Sequence, residues 1–473
     1  MSLQLNLTNQ RTWFRCLIVA AGLLVYHNSL SGPFVFDDRR CILENPNLRH
    51  LWPLQMALST PPELHPLVHR PLVCLSLAIN YFLSGFQVWG YHAFNLALHL
   101  LVALALFGLV RHTLQTPRLQ GRHRDRADQL ALVTCLIWVV HPLNTQTVDV
   151  VIRRSESLMG LFYLLTLYGL VRSSESPHRS LWKTVSVASC ALGMLSKEIM
   201  VSAPLMGFLY DWIFLAGSFR GVLRQRWRLH LCLAGTWLIL AFLFLTGPPL
   251  HEIGLHFPKL TFWDNLKTQC NVLIHYLRLA LWPHPLVLDY AWPIARTLPD
   301  FLPAAVLLVA LLAATGLAFR WRPEIGFLGI WPFLILAPTS LVPMPLEIIV
   351  EHRMYLPLTG IVAGLVVGGY EVLRKGRIAT LVVIGILCLF GFMTVERNRD
   401  YQTEVSIWKD TVKKRPNNGT AFYNLGVVFL REQRWEEAIQ AFTQALQLMP
   451  SDPMSDYNLR YAMKKAREKL EKP

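Results

Sequence analysis

Apolar stretches long enough to cross a membrane recur along residues 1–395 of the chain. A spanning helix needs about 20 mainly apolar residues, within a range of about 17–25. Arg11 and Arg15 precede the first stretch, which we interpret as an anchor because no small-residue cleavage site follows it. We place spans at 13–30, 91–110, 129–148, 157–171, 184–196, 199–216, 229–246, 301–319, 325–341, 354–373 and 377–395. The pattern predicts an all-α, polytopic membrane domain with about eleven spans.

Two further apolar stretches, Pro71–Gly85 and Leu266–Trp282, could either span the membrane or lie at its surface. The positions of the basic residues decide between these two interpretations. If neither stretch spans and the N-terminus is cytoplasmic, one face holds about 19 Lys and Arg, against about 12 in the longer opposite loops. Since basic residues favour the cytoplasmic side, we expect both stretches to be re-entrant or interfacial. The first outer loop then covers 31–90 and the second long outer loop covers 247–300.

Composition agrees with a membrane protein and excludes other classes. Of the 473 residues, 53% are hydrophobic and 16% are charged, whereas soluble domains carry about 25% charged residues. This excludes a disordered chain and a coiled coil. The net charge of +15 is explained by basic loops rather than by nucleic-acid binding. The eight Cys form no C-x-x-C pair, and we interpret them as buried thiols.

Residues 396–473 form a polar tail with a helical pattern. Within it, 419–450 matches a tetratricopeptide repeat, in which small residues let two helices approach and aromatic residues fill the space between them. The matching positions are Leu425, Gly426, Phe429, Ala438, Phe442, Ala445 and Pro450. We interpret Glu404–Lys414 as half of a preceding repeat and Ser455–Leu470 as a capping helix. The alternative is a helical cap that only packs on the membrane domain; as a repeat, the tail should bind an acceptor or partner protein.

Ionisable residues cluster in the outer loops. The adjacent Asp37 and Asp38 should repel each other at the membrane boundary, which raises one pKa and suits a general base; the alternative is a solvated pair with capping roles. Further clusters contain His141, Arg153, Arg154, Glu156, Lys197, Glu198, Glu351, His352, Arg353 and Tyr355. Each cluster alone is equally well explained by a salt bridge between helices or a snorkelling cation, but together they indicate a polar cavity that opens outward.

The residues around the histidines argue against a metal site. Prolines interrupt the segment with His65 and His69, and no Cys or carboxylate accompanies His92 and His99. We therefore expect no metal and no cofactor, and we expect His99 to form hydrogen bonds between helices. The chain also has no phosphate-binding glycine motif, so an enzymatic substrate would have to lie in the membrane.

The order of these motifs resembles the transmembrane and tetratricopeptide-repeat O-mannosyltransferase family, in particular a bacterial branch of it. The motifs are F-x-D-D at Asp37–Asp38, R-P-L at Arg70–Leu72, the histidine and asparagine pattern at His92–His99, H-P-x-x-T-x-x-V at His141–Val148, R-x-E at Arg154–Glu156, K-E at Lys197–Glu198 and E-H-R-x-Y-L-P at Glu351–Pro357. Gln146 and Arg153 depart from the residues common in that family. The resemblance covers about residues 30–450 and implies a type C glycosyltransferase fold.

The resemblance also implies roles for individual residues. Asp37 or Asp38 would deprotonate the acceptor hydroxyl, with Asp38 preferred because Arg39 could hold Asp37 ionised. Arg154, Lys197 and Arg353 would bind the donor phosphate, and Glu156, Glu198 and Glu351 would orient those cations. Tyr355 would hydrogen-bond the sugar or phosphate. The matching motifs add Arg70, His99, His141 and His352 as supporting residues.

The function implied is an inverting transfer of a sugar, with mannose as the first candidate, from a polyprenyl phosphate to a protein hydroxyl or a cell-surface glycan. The expected location is a bacterial inner membrane, with a cytoplasmic N-terminus and a periplasmic tail. An alternative is a non-catalytic membrane scaffold that presents the repeat to a partner protein. A transporter is less consistent, because no internal symmetry is visible and the ionisable residues lie at the outer ends of the spans.

Overall fold

A computed structural model of the chain describes residues 2–61, 63–248, 260–343, 347–373 and 376–470. Parts of the predicted second outer loop (249–259) and of a basic loop (374–375) lie outside the described residues. The described chain is helical and contains no β-strand. Its helices are α1 Ser2–Tyr26, α2 Leu54–Ala57, α3 Pro71–Ser84, α4 Val88–Leu114, α5 Gln120–His123, α6 Ala127–Val139, α7 Thr145–Asp149, α8 Arg154–Glu175, α9 Arg179–Met194, α10 Ala203–Tyr210, α11 Phe219–Gln225, α12 Trp227–Gly235, α13 Trp237–Thr246, α14 Phe262–Leu281, α15 Leu298–Trp321, α16 Pro323–Leu341, α17 Pro357–Leu373, α18 Arg377–Asp400, α19 Glu404–Lys414, α20 Gly419–Arg431, α21 Trp435–Leu448 and α22 Pro453–Leu470.

Ion pairs between distant segments define one end of the helix bundle. Arg11, which precedes the apolar part of α1, and Arg111 near the end of α4 both bind the Asp128 carboxylate, at 2.9 and 2.5 Å. Arg118 lies 3.4 Å from Glu324 at the start of α16. These are the loops in which the sequence concentrates basic residues, and we call this the basic end.

The opposite end carries the long outer loops and the tail, and we call it the loop end. Arg39 of the first outer loop lies 3.8 Å from Glu404 at the start of α19. Nε2 of His141, in the turn between α6 and α7, donates to the backbone oxygen of Ala280 at 3.2 Å, near the end of α14. The N-terminal segment and the tail therefore lie at opposite ends of the bundle, as an odd number of crossings requires.

The membrane-spanning character of the chain is supported by six helices among the described residues that are long and apolar enough to cross a bilayer. A seventh is obtained if the bent pair 121–139 and 142–149 counts as one span. The predicted spans at 13–30, 157–171, 184–196 and 354–373 coincide with helices that are shorter or more polar than that criterion allows. The chain is therefore a multi-pass membrane protein, and the count of eleven spans stays a prediction.

Both ambiguous apolar stretches form helices that begin and end at the loop end. α3 begins beside the ion pair of Arg70 with Glu198 and ends at Gly85, whose backbone oxygen accepts from the Tyr91 hydroxyl at 2.9 Å. Near the start of α14, Asn265 donates to the backbone oxygen of Ser340, which lies near the end of α16. Neither helix crosses the bundle, which agrees with the non-spanning interpretation.

The tail forms two antiparallel helices of a repeat, α20 and α21, flanked by α19 and α22. Gly426 lies against the Phe442 ring so closely that an added Cβ would come within 2.8 Å of it. Phe442 is fully buried. The small residue and the aromatic residue of the sequence pattern therefore pack against each other, as a tetratricopeptide repeat requires.

The tail shares an apolar core with the first outer loop. Phe34 and Val35 of the loop belong to the same buried cluster as Ile407 and Trp408 of α19. Between them, Phe36 packs edge-on against the Trp408 ring, with 5.7 Å between the ring centroids. The backbone of Phe36 has φ of 52°, a left-handed conformation that costs a non-glycine residue about 1–3 kcal/mol and persists only where its surroundings impose it.

The tail also contacts the second long outer loop through hydrogen bonds and a cation–π interaction. Nδ2 of Asn418 donates to the backbone oxygen of Asp289 at 3.1 Å, and Nζ of Lys414 donates to that of Leu286 at 3.0 Å. The Arg415 guanidinium lies over the Tyr290 ring, 5.1 Å from its centroid. The tail is therefore bound to both long outer loops by apolar and polar contacts.

We predict that the tail and Arg122 lie on opposite sides of the membrane, with Arg122 cytoplasmic. A reporter that is active only outside the cytoplasm should be active when fused after Pro473 and inactive when inserted after Arg122. The basis is the excess of basic residues at the basic end. Activity of both fusions on the same side of the membrane would contradict the prediction.

We also predict that Trp408→Ala releases the first outer loop from the tail. Removing a buried aromatic side chain typically costs about 3–5 kcal/mol, so amide hydrogen exchange at residues 33–38 should accelerate and the melting temperature should fall. Trp408→Phe should restore most of the protection. Tyr457→Ala removes an exposed aromatic side chain of α22 and should change neither quantity; unchanged exchange in Trp408→Ala would disprove the coupling.

Candidate active site

The ionisable residues of four loop-end segments meet in one cluster. The segments are the first outer loop, the turn that precedes α8, the tip between α9 and α10, and the segment that precedes α17. We call this set the charged cluster; it consists of Asp37, Arg70, Arg153, Glu156, Lys197, Glu198, Glu347, His352 and Arg353.

Glu347 is the carboxylate on which the cations of the charged cluster converge. One of its oxygens lies 3.0 Å from Arg153, and the other lies 3.6 Å from Arg353. Burial raises the pKa of Glu347, but Arg153, Arg353, Lys197 and Arg70 outweigh this and hold the pKa well below its usual range. Its side chain keeps about 33% of its surface exposed. The cluster thus contains an anion site that opens to solvent and is filled by a carboxylate of the same chain.

Arg153 joins this anion site to Asp37. One terminal nitrogen of its guanidinium donates to Glu347 and the other to Oδ2 of Asp37, each at 3.0 Å. Burial raises the pKa of Asp37 to about 6, with Arg153 opposing and Glu347 adding to the rise. The Asp37 side chain remains 23% exposed. Asp37 therefore combines an accessible carboxylate with a pKa near neutrality, as a general base requires.

Asp38 is enclosed by backbone donors. Its oxygens accept N–H bonds from Val35, from Val151 at 3.0 Å and from Ile152 at 2.7 Å. Burial raises the pKa of Asp38 to about 7 although these three N–H groups oppose the rise. Asp38 is fully buried, and its contacts fix the turn that carries Arg153. The geometry thus reverses the sequence-based preference for Asp38, because Asp37 is the member of the pair that faces the charged cluster.

Lys197 is paired within the charged cluster. Its ammonium group donates to Oε1 of Glu156, and Nε2 of His352 lies 3.7 Å from the same oxygen. Oε1 of Gln146 lies 3.1 Å from Nδ1 of His352, which makes Nδ1 the protonated nitrogen of a neutral ring. Burial lowers the pKa of Lys197, with Glu156 opposing. Glu156 therefore pairs with Lys197, and its predicted role in orienting a phosphate-binding cation stays a prediction.

Arg70 and Glu198 form the outer rim of the same cluster. The Arg70 guanidinium donates to both oxygens of Glu198, at 3.1 and 3.2 Å. Burial raises the pKa of Glu198, but Arg70 and Lys197 outweigh it and lower the pKa below its usual range. The R-P-L and K-E motifs are therefore brought together, although 128 positions separate Arg70 from Glu198 in the chain.

Arg154 does not reach the charged cluster, which corrects its assignment to the donor phosphate. Its fully buried guanidinium turns toward α3 and α4, where it donates to Oδ1 of Asn80 at 2.6 Å and to the backbone oxygen of Ser76. It also lies over the Phe94 ring, 4.6 Å from the centroid. Arg153 ends the turn and Arg154 begins α8, so the two side chains leave the backbone in different directions.

His99 and Tyr355 tie helices together inside the bundle. Nε2 of His99 donates to the backbone oxygen of Val139 at 3.2 Å, so Nδ1 accepts from the Tyr355 hydroxyl at 2.9 Å. His141 is engaged in the same way, because its Nδ1 accepts the Leu143 N–H. These contacts confirm the inter-helical role expected for His99. Tyr355 is fully buried and bonded to His99, and its predicted contact with the donor stays a prediction.

Glu351 forms hydrogen bonds with a segment distant from it in the chain. It accepts hydrogen bonds from the Tyr290 hydroxyl at 2.7 Å and from the Val287 N–H, and both belong to the second long outer loop. Burial raises the pKa of Glu351, with Arg397 and these donors opposing. Glu351 therefore anchors the second long outer loop, and its predicted role in orienting Arg353 stays a prediction.

Sequence reasoning assigned no site role to two central members of the cluster, Arg153 and Glu347. It included Arg153 in an outer-loop cluster, but the adjacent Arg154 fitted the family pattern and received the role. Glu347 lies in an apolar segment without a motif. A count of the charged residues in the outer loops would have indicated that further carboxylates belong to the cluster. Four cations from four loops require anionic partners if they are to be buried together.

No ligand set for a metal emerges from the residues that the structure describes, where no group of three His, Cys, Asp or Glu could hold an ion. His92 contacts the Gly32 backbone oxygen at 3.0 Å, and the His69 ring packs on Phe244. The expectation that the chain uses no metal stays a prediction.

Comparisons with known proteins give relatives for most of the chain and a family model for the tail. The tetratricopeptide repeat model matches residues 420–452. The chain is 26% identical to Drosophila melanogaster protein O-mannosyl-transferase Tmtc3, with 93% of this chain and 55% of that protein aligned. It is 26% identical to human TMTC4 (88% and 63%) and 27% identical to human TMTC1 (94% and 56%).

A solved structure also aligns with the fold. The crystal structure of ArnT from Cupriavidus metallidurans bound to undecaprenyl phosphate aligns over 95% of this chain and 76% of that one, with a TM-score of 0.45 and 15% identity. The chain itself spans little more than half the length of the curated relatives. The chain is thus similar to protein O-mannosyl-transferases over most of its own length, and its tail matches the tetratricopeptide repeat model.

Proposed function

We propose that the chain is a membrane glycosyltransferase that moves a sugar from a polyprenyl-phosphate donor to an acceptor hydroxyl at the loop end. The observation that carries the proposal is the bridge made by Arg153 between Asp37 and the anion site at Glu347. This bridge places a carboxylate with a pKa near neutrality beside a set of phosphate-binding cations. The names of the relatives support mannose as the sugar and a protein as the acceptor.

In the reaction, the Asp37 carboxylate takes the proton of the acceptor hydroxyl while the acceptor oxygen attacks the anomeric carbon of the sugar. The bond between that carbon and the phosphate oxygen breaks, and the leaving polyprenyl phosphate keeps the electron pair. Attack and departure occur on opposite sides of the carbon, so the configuration inverts. Negative charge grows on the departing phosphate, where fixed cations stabilise it more than they stabilise the ground state.

Charge balance supports Glu347 as the residue that the donor displaces. The described cluster contains four cations, Arg70, Arg153, Lys197 and Arg353, and four carboxylates, Asp37, Glu156, Glu198 and Glu347. A sugar phosphodiester carries one negative charge, so it can replace the Glu347 carboxylate without unbalancing the site. Guanidinium groups suit this exchange because their paired donors match carboxylate and phosphate oxygens alike.

The sidedness follows from the same arrangement. The charged cluster lies at the loop end, opposite the basic end that we expect in the cytoplasm. We therefore place the reaction on the periplasmic side of a bacterial inner membrane. The tail contacts both outer loops, where it can present an acceptor protein beside Asp37.

We predict that Asp37→Asn lowers turnover at least about 100-fold, since loss of a general base typically costs about 10²–10⁴ in rate. Binding of the polyprenyl-phosphate donor should persist. Glu44→Gln, an exposed carboxylate of the same loop, should keep full turnover. The measurement is transfer of labelled mannose from polyprenyl-phosphate mannose to an acceptor by the purified full chain.

The pH dependence of the same reaction tests the assignment further. The base must be deprotonated to act, and the pKa of Asp37 is raised to about 6. kcat/KM should therefore be lost in acid, rise through pH 6 and level off above it, and Asp37→Asn should remove that rise. Wild-type turnover in Asp37→Asn with an unchanged pH profile would place the base elsewhere.

We predict opposite effects of Glu347→Gln and Arg353→Ala on donor binding. Removing the carboxylate that competes for the anion site should tighten binding of polyprenyl phosphate, and removing a cation should weaken it. Each change should be roughly tenfold, which corresponds to about 1.4 kcal/mol. Tryptophan fluorescence or calorimetric titration of the purified chain measures both. Weaker binding by Glu347→Gln would show that Glu347 holds the donor directly and would contradict its role as a displaced anion.

A further inference from the structure

A cavity that is separate from the charged cluster lies between α4, α8, α16 and α17. Its volume is about 740 Å³, within the range that holds a sizeable organic ligand. Apolar residues form most of its wall, including Leu106, Leu109, Leu164, Leu167 and Phe327. Gly364 and Gly368 of α17 keep the wall open, because a side-chain carbon at Gly368 would meet no atom within 4 Å. An apolar chain would fit this space.

Charged residues close one part of this cavity, and all of them belong to the basic end. Arg122, His123, Arg322, Glu324 and Glu371 line it. Within this group, Arg322 lies 3.8 Å from Glu324, and Nε2 of His123 lies 3.4 Å from Glu371. The cavity is therefore amphipathic, with apolar walls along the helices and ionic groups near one membrane face.

Two polar groups of this rim lack a partner among the described residues. Arg122 forms no ion pair or hydrogen bond through its side chain there. His123 has only 4% of its surface exposed, yet its Nδ1 is buried without a hydrogen bond. A buried polar atom without a partner is costly, so Nδ1 of His123 indicates a polar ligand group beside it, and the exposed Arg122 supplies a cation for that group.

The charge around the rim favours the same ligand. Arg118, Arg124 and Arg126 lie on the same short segment as Arg122, whereas Asp125 is its one acidic residue. Basic clusters beside a membrane attract anionic headgroups, at about 1 kcal/mol for each Lys or Arg near the surface. A zwitterionic lipid carries no net negative charge and would gain less from these cations.

We propose that this cavity binds an anionic membrane phospholipid, with an acyl chain between the helices and the phosphate beside Arg122 and His123. The site differs from that of the sugar donor, whose phosphate belongs with the charged cluster at the loop end. The proposal does not depend on the enzymatic activity of the chain. It assigns the basic segment 118–126 a lipid-binding role in addition to its role in orientation.

The test uses the full chain in nanodiscs of phosphatidylcholine to which phosphatidylglycerol is added in steps. Native mass spectrometry should show one retained phosphatidylglycerol, and its apparent affinity should fall about tenfold or more in Arg122→Gln, as loss of a charged hydrogen bond predicts. Arg124→Gln is the matched control, since Arg124 lies on the same segment outside the cavity lining. It should change the affinity by less than about twofold.

Gly368→Phe provides a second test that leaves every charge in place. The added ring should fill the cavity and abolish retention of the lipid, while the thermal stability of the chain in phosphatidylcholine stays near the wild-type value. Equal retention of phosphatidylcholine, or equal losses in Arg122→Gln and Arg124→Gln, would overturn the proposal. So would retention of undecaprenyl phosphate in preference to phosphatidylglycerol with the same dependence on Arg122.

Discussion

The candidate site depends on the buried carboxylate of Asp38. By accepting N–H groups from Val151 and Ile152, it ties the first outer loop to the turn that precedes α8. That turn presents Arg153, and the same loop presents Asp37, so one set of backbone hydrogen bonds fixes both partners of the central ion pair. An uncompensated buried carboxylate would be costly, and the three donors offset that cost while they set the geometry. The pair of adjacent aspartates thus divides into a buried residue that fixes the turn and an accessible one that we propose as the general base.

The charged cluster is held together by mutual compensation. Four cations lie close together only because four carboxylates separate them, and Glu347 is the carboxylate that the surrounding cations acidify most clearly. Because Glu347 is partly exposed, it is the carboxylate that we propose the headgroup of the lipid-linked donor replaces.

The tail contributes to the same site by holding the outer loops in place. By fixing Phe36 and the second outer loop, the tail limits the motion of the segments that carry Asp37 and Glu351.

The sequence was sufficient for features that depend on periodicity and composition. The helical class and the repeat follow from apolar patterns, and the non-spanning interpretation of α3 and α14 follows from the distribution of basic residues along the chain. The individual directions of side chains could not be predicted. Arg153 and Arg154 are adjacent and chemically identical, yet the start of α8 sends one to Asp37 and the other to Asn80. Glu347 lacks a motif, because its role arises from tertiary contacts with residues almost 200 positions away.

We propose that the anion site occupied by Glu347 is the phosphate site of a lipid-linked donor. A cryo-electron microscopy structure of the full chain with bound polyprenyl phosphate tests this proposal. We expect phosphate density in contact with Arg153 and Arg353, with the Glu347 carboxylate moved out of the cluster and Asp37 still beside Arg153. Phosphate bound elsewhere, with Glu347 still paired to both arginines, would contradict it.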